Sequence, residues 1–405
     1  MSELIKLKYL CKSFCTPIMQ QQLKEQGLYE VYGAAGIAGY MDTYNVDTEY
    51  LGIVKDGAGV GRVNKYKPCT SLLGTLAYII PNDQVDIDWL KYIIFSMDLG
   101  NDIGKTTIPH IYFSNYGNNK VSYITYDKQK TMARYIEKKC VELDNVLKKT
   151  RASIEEYKKL KQAVITQTVT KGIRDNREMK DSGIEWLGSI PANWNLIKIT
   201  RLLDYGHLYP IGDGDHGLIK TDDYIDLGVP YIRVQNLGWG TELNYDNLVY
   251  ISEERNQMIA NSILKPNDIL FAKTGATIGK TAIIPDSIPV SNTTSHIGKI
   301  TVSPNYNPRF VFYVMSSYVV YRQFWEMAGL KTTRPELSID EIKKIRIAIP
   351  STLEEQDSIV KYLDRICKNL DKLINKKESY LAEIENYKKS FIYEYVTGKK
   401  EVLDT

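Results

Sequence analysis

Residues 129–172 read QKTMARYIEKKCVELDNVLKKTRASIEEYKKLKQAVITQTVTKG, and residues 356–399 read QDSIVKYLDRICKNLDKLINKKESYLAEIENYKKSFIYEYVTGK. Aligned without a gap, Gln129, Tyr135, Cys140, Leu143, Asp144, Lys149, Glu156, Lys161, Ile165, Val169 and Thr170 meet Gln356, Tyr362, Cys367, Leu370, Asp371, Lys376, Glu383, Lys388, Ile392, Val396 and Thr397. That is eleven identities in 44 positions at a constant offset of 227, and the conservative pairs Met132/Ile359, Ile136/Leu363, Leu147/Ile374 and Ile154/Leu381 extend it. The segment is duplicated.

Each copy carries apolar residues at alternating steps of four and three, the seam of a coiled coil. The first seam is Ile136, Cys140, Leu143, Leu147, Thr150, Ile154, Tyr157, Lys161, Val164, Thr168; the second is Leu363, Cys367, Leu370, Ile374, Lys377, Leu381, Ile384, Lys388, Phe391, Tyr395. Both turn polar at the same two steps, Thr150/Lys377 and Lys161/Lys388. Polar seam residues lower stability but fix register and partner number, so their matched placement predicts that the two helices pair with each other. The expected pairing residues are Ile136, Leu143, Leu147, Ile154 and Lys161 against Leu363, Leu370, Ile374, Leu381 and Lys388. Neither copy contains proline, and Gly172 and Gly398 fall where each helix should end. At 1.5 Å per residue such a helix is a rod of roughly 65 Å. The competing reading is that each helix packs only on its own globular neighbour.

The segments ahead of the helices echo each other too. Leu4-Ile5-Lys6-Leu7 matches Leu196-Ile197-Lys198-Ile199, and Val54-Lys55-Asp56-Gly57-Ala58-Gly59-Val60-Gly61-Arg62 matches Ala272-Lys273-Thr274-Gly275-Ala276-Thr277-Ile278-Gly279-Lys280. Thr106-Thr107-Ile108-Pro109 matches Thr332-Thr333-Arg334-Pro335. Runs such as 49–54 and 268–272, closed by glycine turns, read as strands, and one helix per copy (about Asp88 to Met97, and Pro308 to Trp325) punctuates them. The expected class is α+β: two mixed α/β globules separated by two long helices in an antiparallel coiled coil, with pseudo-two-fold symmetry. The expected boundaries are 1–126 for the first globule, 127–173 for its helix, 174–190 for a charged linker, 191–350 for the second globule, 351–398 for its helix and 399–405 for a tail.

Composition restricts the function. The chain has 405 residues, 43% hydrophobic and 25% charged, an ordinary soluble composition for two or three domains. No apolar run reaches the ~18 residues of a membrane span, and the first residues lack the layout of a signal peptide. Five scattered cysteines (Cys11, Cys15, Cys69, Cys140, Cys367) fit reduced thiols, and four histidines without ligand spacing give no expectation of a metal site. A cytoplasmic protein is expected. The net charge is +3; residues 128–171 carry twelve Lys/Arg against five Asp/Glu, or +7, and residues 354–400 ten against nine, or +1. Everything else therefore sums to −5, so any contact with a polyanion must come from local patches or partners.

Two similar globules on paired helices form a calliper, and the commonest long two-fold ligand is duplex DNA, whose half-sites recur on one face every ~34 Å. Here the sequence resembles a known family, the specificity subunits of type I restriction-modification systems. The resemblance rests on Gly183-Ile184-Glu185-Trp186-Leu187-Gly188-Ser189-Ile190-Pro191-Ala192-Asn193-Trp194, on Asp268-Ile269-Leu270 followed by the glycine turn 274–280, and on Ile347-Ala348-Ile349-Pro350 leading to Glu355-Gln356. The first copy departs at that last handover: Tyr126-Asp127-Lys128-Gln129 keeps the glutamine but lacks the proline and glutamate. The resemblance implies two target recognition domains, each reading half of an asymmetric bipartite site in double-stranded DNA. It implies helices that space the domains and dock two adenine methyltransferase subunits, with helicase-nuclease restriction subunits joining afterwards. It also implies a non-catalytic chain, S-adenosylmethionine, ATP and Mg being used by the partners.

Base reading calls for Arg or Lys against guanine and Asn or Gln against adenine. The candidates are Lys55, Arg62, Lys105, Thr106, Thr107 and His110 in the first globule. In the second they are Arg233, Gln235, Asn236, Lys273, Lys280, Asn292, Lys331, Thr332, Thr333 and Arg334. Lysine and hydroxyl clusters suit phosphate as well as bases, and the Gly57/Gly61 and Gly275/Gly279 turns read as fold-shaping. Enzyme motifs fail on inspection. Gly275-Ala276-Thr277-Ile278-Gly279-Lys280-Thr281 has three residues between its glycines where a phosphate loop needs four. Asn307-Pro308-Arg309-Phe310 has arginine in place of the second proline of an adenine-methyltransferase motif, and reads better as a helix start. Without DNA binding, the alternative is a coiled-coil scaffold whose globules bind proteins.

Overall fold

The computed structural model describes residues 3–57, 59–97, 99, 109–288, 290–329 and 335–402. The chain divides into two compact units, Met1–Ala152 with Lys377–Thr405, and Ser153–Lys376. No helix among the described residues is long and apolar enough to cross a membrane.

The two globules are built on one plan. In the first unit a four-stranded antiparallel sheet runs in the order Cys11–Phe14, Leu76–Pro81, Tyr50–Val54, Val63–Tyr66. A three-stranded sheet has Tyr29–Gly33 between Gly36–Met41 and Ser71–Leu72, the last pairing parallel. Glu3–Lys6 pairs with Lys120–Tyr123. The second unit repeats each sheet in the same order: Ile211–Asp213, Ile297–Ile300, Ile269–Ala272, Thr281–Ile283; then Val229–Ile232 between Val249–Ile251 and a parallel Asn292–Thr293; then Asn195–Lys198 with Arg346–Ile349. Tyr50–Val54 and Ile269–Ala272 are buried at every residue, as suits continuous apolar runs that bury both faces. Within residues 174–190, Met179–Asp181 pairs with Ser189–Pro191, and Leu187 and Ile190 join the second unit's core.

A helix packs on each main sheet. Ile87–Ser96 starts at Asp86, whose carboxylate accepts from Trp89 N at 2.9 Å. Pro308–Met315 starts at Asn307, whose carbonyl oxygen accepts from Arg309 N at 2.8 Å and Phe310 N at 3.1 Å, with proline in the first turn. The helix expected to continue to Trp325 instead breaks at Ser316-Ser317 and restarts as Tyr318–Ala328. The two hydroxyls turn back onto Phe312 O (2.8 Å) and Val314 O (2.6 Å), capping the chain they would otherwise extend.

Both long helices form, over Tyr126–Lys171 and Leu353–Val396. Each is tied to its globule by the same two residues of the repeat. Gln129 is fully buried; its oxygen accepts from Asp86 N at 2.8 Å while its amide donates to Ile124 O at 2.8 Å. Gln356 is buried likewise, accepting from Asn307 N at 2.9 Å and donating to Pro350 O at 3.4 Å. Each glutamine thus satisfies the backbone of the residue that caps the globule's helix. Two turns on, Glu137 accepts from the Tyr92 hydroxyl and from Lys91 Nζ at 3.1 Å. Its repeat counterpart Asp364 accepts from the Tyr313 hydroxyl at 2.5 Å and Arg309 Nε at 2.6 Å. Tyr92 and Tyr313 stand at the same distance from their caps, so one joint is built twice. The second joint adds Glu355, which accepts from Trp194 Nε1 at 3.0 Å and Arg177 Nη1 at 2.6 Å.

Within each unit the long helices meet. In the first, Tyr135 packs on Phe391 and Tyr395, Lys388 Nζ reaches both oxygens of Asp144 (2.6 and 2.7 Å), and Arg151 reaches Glu385 at 2.5 Å, an order that runs antiparallel. In the second, Lys161 Nζ reaches both oxygens of Asp371 at 2.8 Å. Lys161 and Lys388 are repeat counterparts, as are Asp371 and Asp144, so these two contacts are one contact made twice. Of the pairing residues, Ile136, Leu147, Ile154, Lys161, Leu363, Leu370 and Ile374 are buried; Leu143, Leu381 and Lys388 are half-buried.

The Lys161 side chain is 6% exposed and that of Asp371 41%. Removing the carboxylate strands a desolvated ammonium, whereas removing the ammonium leaves a carboxylate that water can reach. Asp371→Ala is expected to cost about 3 kcal/mol and Lys161→Met about 1 kcal/mol or less; chemical denaturation of the two variants checks the order. At the first joint, the Tyr92 hydroxyl, opposed by partial burial and aided by Lys91, holds the Glu137 carboxyl below its usual range. A depressed folded value gives stability that is present above the unfolded value of about 4.3 and lost as pH falls through the folded one. Wild type should therefore exceed Glu137→Gln in thermal midpoint near about pH 6, the gap closing towards about pH 3, as melting at a series of pH values would record.

Candidate nucleic-acid interface

The glycine turns close corresponding hairpins in the two globules, joining Tyr50–Val54 to Val63–Tyr66 and Ile269–Ala272 to Thr281–Ile283. Gly57 and Gly61 have φ of +87°, Gly275 +61° and Gly279 +93°, values that L side chains seldom adopt. Each turn is pinned to a proline segment far along the chain. Gly57 N donates to Pro109 O at 3.0 Å and Ile111 N to Lys55 O at 3.0 Å; Gly275 N donates to Pro335 O at 2.8 Å and Leu337 N to Lys273 O at 2.9 Å. In each unit the turn thus lies edge to edge with Pro109 or Pro335, 52 and 60 residues beyond Gly57 and Gly275.

This pinning gathers several of the candidate residues. In the first unit Lys55 Nζ lies 2.6 Å from Asp56 Oδ2, and the other oxygen of Asp56 bonds His110 Nδ1. Tyr112 packs on the His110 ring, centroids 4.0 Å apart. Burial and the nearby Lys55 ammonium hold the imidazole below its ordinary range. Arg62 is exposed on the same turn. In the second unit Lys273 is buried, its Nζ between Asp213 Oδ2 (3.1 Å) and Glu336 Oε1 (3.0 Å). Asp213 also faces His216 Nε2 at 3.2 Å. Lys280 is half-buried at the far end of that turn. Lys105, Thr106, Thr107, Lys331, Thr332, Thr333 and Arg334 lie outside the described residues.

Of the remaining candidates, Arg233, Asn236 and Asn292 serve the fold of the second globule. Asn236 is fully buried, its oxygen accepting from Arg233 N at 2.9 Å and its amide donating to Asn244 O at 2.9 Å. Asn292 is fully buried, accepting from Ser262 Oγ at 2.6 Å and donating to Asn256 Oδ1 at 2.8 Å. Arg233 donates to Asn247 O at 2.6 Å beneath the Tyr224 ring, while its neighbour Gln235 is exposed. Asp268 is buried and carries a raised carboxyl, because burial outweighs Lys299; it accepts from Thr301 Oγ1 at 2.7 Å. Among the described residues no three His, Cys, Asp or Glu side chains converge as metal ligands.

Sequence reading passed over the loop Gly212-Asp213-Gly214-Asp215-His216-Gly217. Asp215 is buried and caps it, accepting from Ile219 N at 2.9 Å and Ser295 N at 3.0 Å. His216 sits at φ +47°, a left-handed conformation uncommon outside glycine though histidine is among the side chains that adopt it most, and its side chain is 64% exposed. The alternation of glycine and acid around a single histidine was the available signal.

Residues 217–385 match the family described as type I restriction modification DNA specificity domain. The chain is 25% identical over 320 residues to the type I restriction enzyme MjaVIII specificity subunit of Methanocaldococcus jannaschii, covering 77% of this chain and 70% of that one. It is 26% identical over 290 residues to the type I restriction enzyme EcoBI specificity subunit of Escherichia coli, covering 67% and 56%. The match thus spans little more than half of the second relative's length. Among solved structures, a chain from a study of complex assembly and conformational transition of the type I R-M system has the same fold, with a TM-score of 0.67 at 12% identity over 98% of each chain.

The loop that carries His216 depends on its glycines unequally. A Cβ on Gly214 would lie 2.1 Å from Thr293 O, whereas one on Gly217 would meet open space at φ +85°. Gly214→Ala should therefore cost about 3 kcal/mol by forcing backbone apart, and Gly217→Ala about 1 kcal/mol of backbone strain. Denaturation midpoints compare them, and equal losses would contradict this account.

Proposed function

We propose that this chain is a type I restriction-modification specificity subunit, the non-catalytic reader of an asymmetric, bipartite site in double-stranded DNA, a reading supported by the match of residues 217–385 to that family's DNA specificity domain. Each globule reads one half-site through the surface around its glycine turn. The paired helices hold the two readers at a set separation and dock two adenine methyltransferase subunits, with helicase-nuclease subunits completing the restriction complex. S-adenosylmethionine, ATP and Mg are used by those partners in the cytoplasm. The observation that carries this reading is the duplication itself: the same sheets, turn and helix joint occur twice, yet the side chains on the two turns have diverged. A two-fold frame with unlike readers matches two unlike half-sites a fixed distance apart.

The ruler sets the test. Inserting seven residues, two helical turns, between Thr150 and Ile154 and again between Lys377 and Leu381 lengthens both rods by about 10 Å. At about 3.4 Å per base pair, the preferred gap should grow by about three base pairs with both half-sites unchanged. Methylation of a duplex series with graded gaps, by the chain assembled with its methylating partner, measures this; an unchanged gap refutes the ruler. Absence of sequence-selective binding in a gel-shift series with the same assembly would favour the protein-binding scaffold instead.

A further inference from the structure

The two glycine turns carry one chemical device assembled from different residues. Lys55 and Lys273 are counterparts in the repeat, and each ammonium is bound to an aspartate whose second oxygen faces a histidine. In the first unit the aspartate is the next residue, Asp56, and the histidine, His110, comes from the proline segment. In the second the aspartate comes from the edge strand Ile211–Asp213 and the histidine from the loop after it, while Glu336 fills the place His110 holds in the first. Two of the three participants have changed position between copies, yet a Lys–Asp–His trio is present in both.

The trio decides what the imidazole can offer. A carboxylate only accepts, so the ring nitrogen that faces it carries the proton. In a neutral ring the other nitrogen is then a fixed acceptor: Nδ1 of His216 and Nε2 of His110. In the first unit the Lys55 ammonium balances Asp56, and in the second Lys273 is shared between Asp213 and Glu336; in both the carboxylate that faces the ring orients it. Phosphate oxygens have no proton to give, but the exocyclic amines of adenine (N6) and cytosine (N4) donate in the major groove. His216 combines a left-handed backbone with an exposed ring, and non-glycine residues at positive φ cluster at functional sites.

We propose that His216 in the second unit and His110 in the first are base-reading groups, each accepting a hydrogen bond from an exocyclic amine of adenine or cytosine. The proposal rests on the DNA-reading function argued above and names the chemistry of its contact. It is tested with the full chain and its methylating partner, using a duplex selected from a random library by the wild-type assembly. His216→Asn keeps a residue that tolerates the left-handed backbone while removing the ring. It should relax selectivity about ten-fold at one position of one half-site, and His110→Asn should do so in the other half-site. Replacing the amine-bearing base at that position by its deamino analogue should weaken the wild type by a similar factor and leave His216→Asn unaffected, a readout that does not depend on the stability of any variant. Loss spread evenly over all sequences with a shallower salt dependence would mean a phosphate contact and overturn the proposal. So would variants that select the wild-type site unchanged, or two variants that relax the same half-site. A wild-type assembly that selects no sequence at all removes the DNA reading and this proposal with it.

Discussion

A lysine ammonium set into an apolar helix seam accepts few registers, because only a shift that brings a carboxylate to it avoids stranding a charge. Here that constraint is applied twice, by Lys161 on Asp371 in one unit and Lys388 on Asp144 in the other. Leucine and isoleucine along the same seam would tolerate slippage by a heptad at modest cost, since one branched aliphatic packs much like another. The charged pairs do not. Duplication makes this economical: a Lys and an Asp seventeen positions apart on each long helix let one contact serve in both units.

Register would be of little use if each globule could swivel on its helix. The joint prevents this by joining groups that cannot be left unmet. The glutamine oxygen takes a backbone N–H at the cap of the globule's helix, and the carboxylate two turns later takes a tyrosine hydroxyl from that helix's next-to-last turns or centre. Two anchors along one helix fix an angle where one would leave a pivot. On the proposed function, this is how the separation set by the seam would reach the reading surface: through short helices and sheets whose packing is dense enough to transmit position.

Much of this frame was legible from the chain. The duplication gave two helices with matched seams, and the burial pattern follows those seams closely, because a 3.5-residue period is a property of the sequence itself. The identities Gln129/Gln356 and Asp144/Asp371 were visible as well, but their partners were not, since Asp86, Asn307, Lys388 and Lys161 are brought to them only by tertiary folding. The reading surface was the least legible. Residue type marks Lys273, Asn236 and Asn292 as base readers, yet a lysine or asparagine is equally suited to satisfying buried backbone and carboxylates, and here all three are committed to that. Conversely His216 lies 57 residues from Lys273 in the sequence, and nothing local to either signals that Asp213 will connect them.

Charge bears on what kind of reader this can be. Outside residues 128–171 and 354–400 the chain sums to −5, and of the cations at the glycine turns Lys55 and Lys273 are held by aspartates, leaving the exposed Arg62 and the half-buried Lys280. A surface of that kind gains little from counterion release, the term that dominates indiscriminate binding to duplex DNA. Its discrimination must then come from contacts that depend on base identity, which a neutral, oriented acceptor supplies and a free ammonium does not. The exposed Arg134, Lys138, Lys148 and Lys149 of the first long helix remain for polyanion contact or for acidic partners. Grip and discrimination would thus fall to different parts of the assembly, with the globules contributing selectivity and depending on the rest of the complex for affinity.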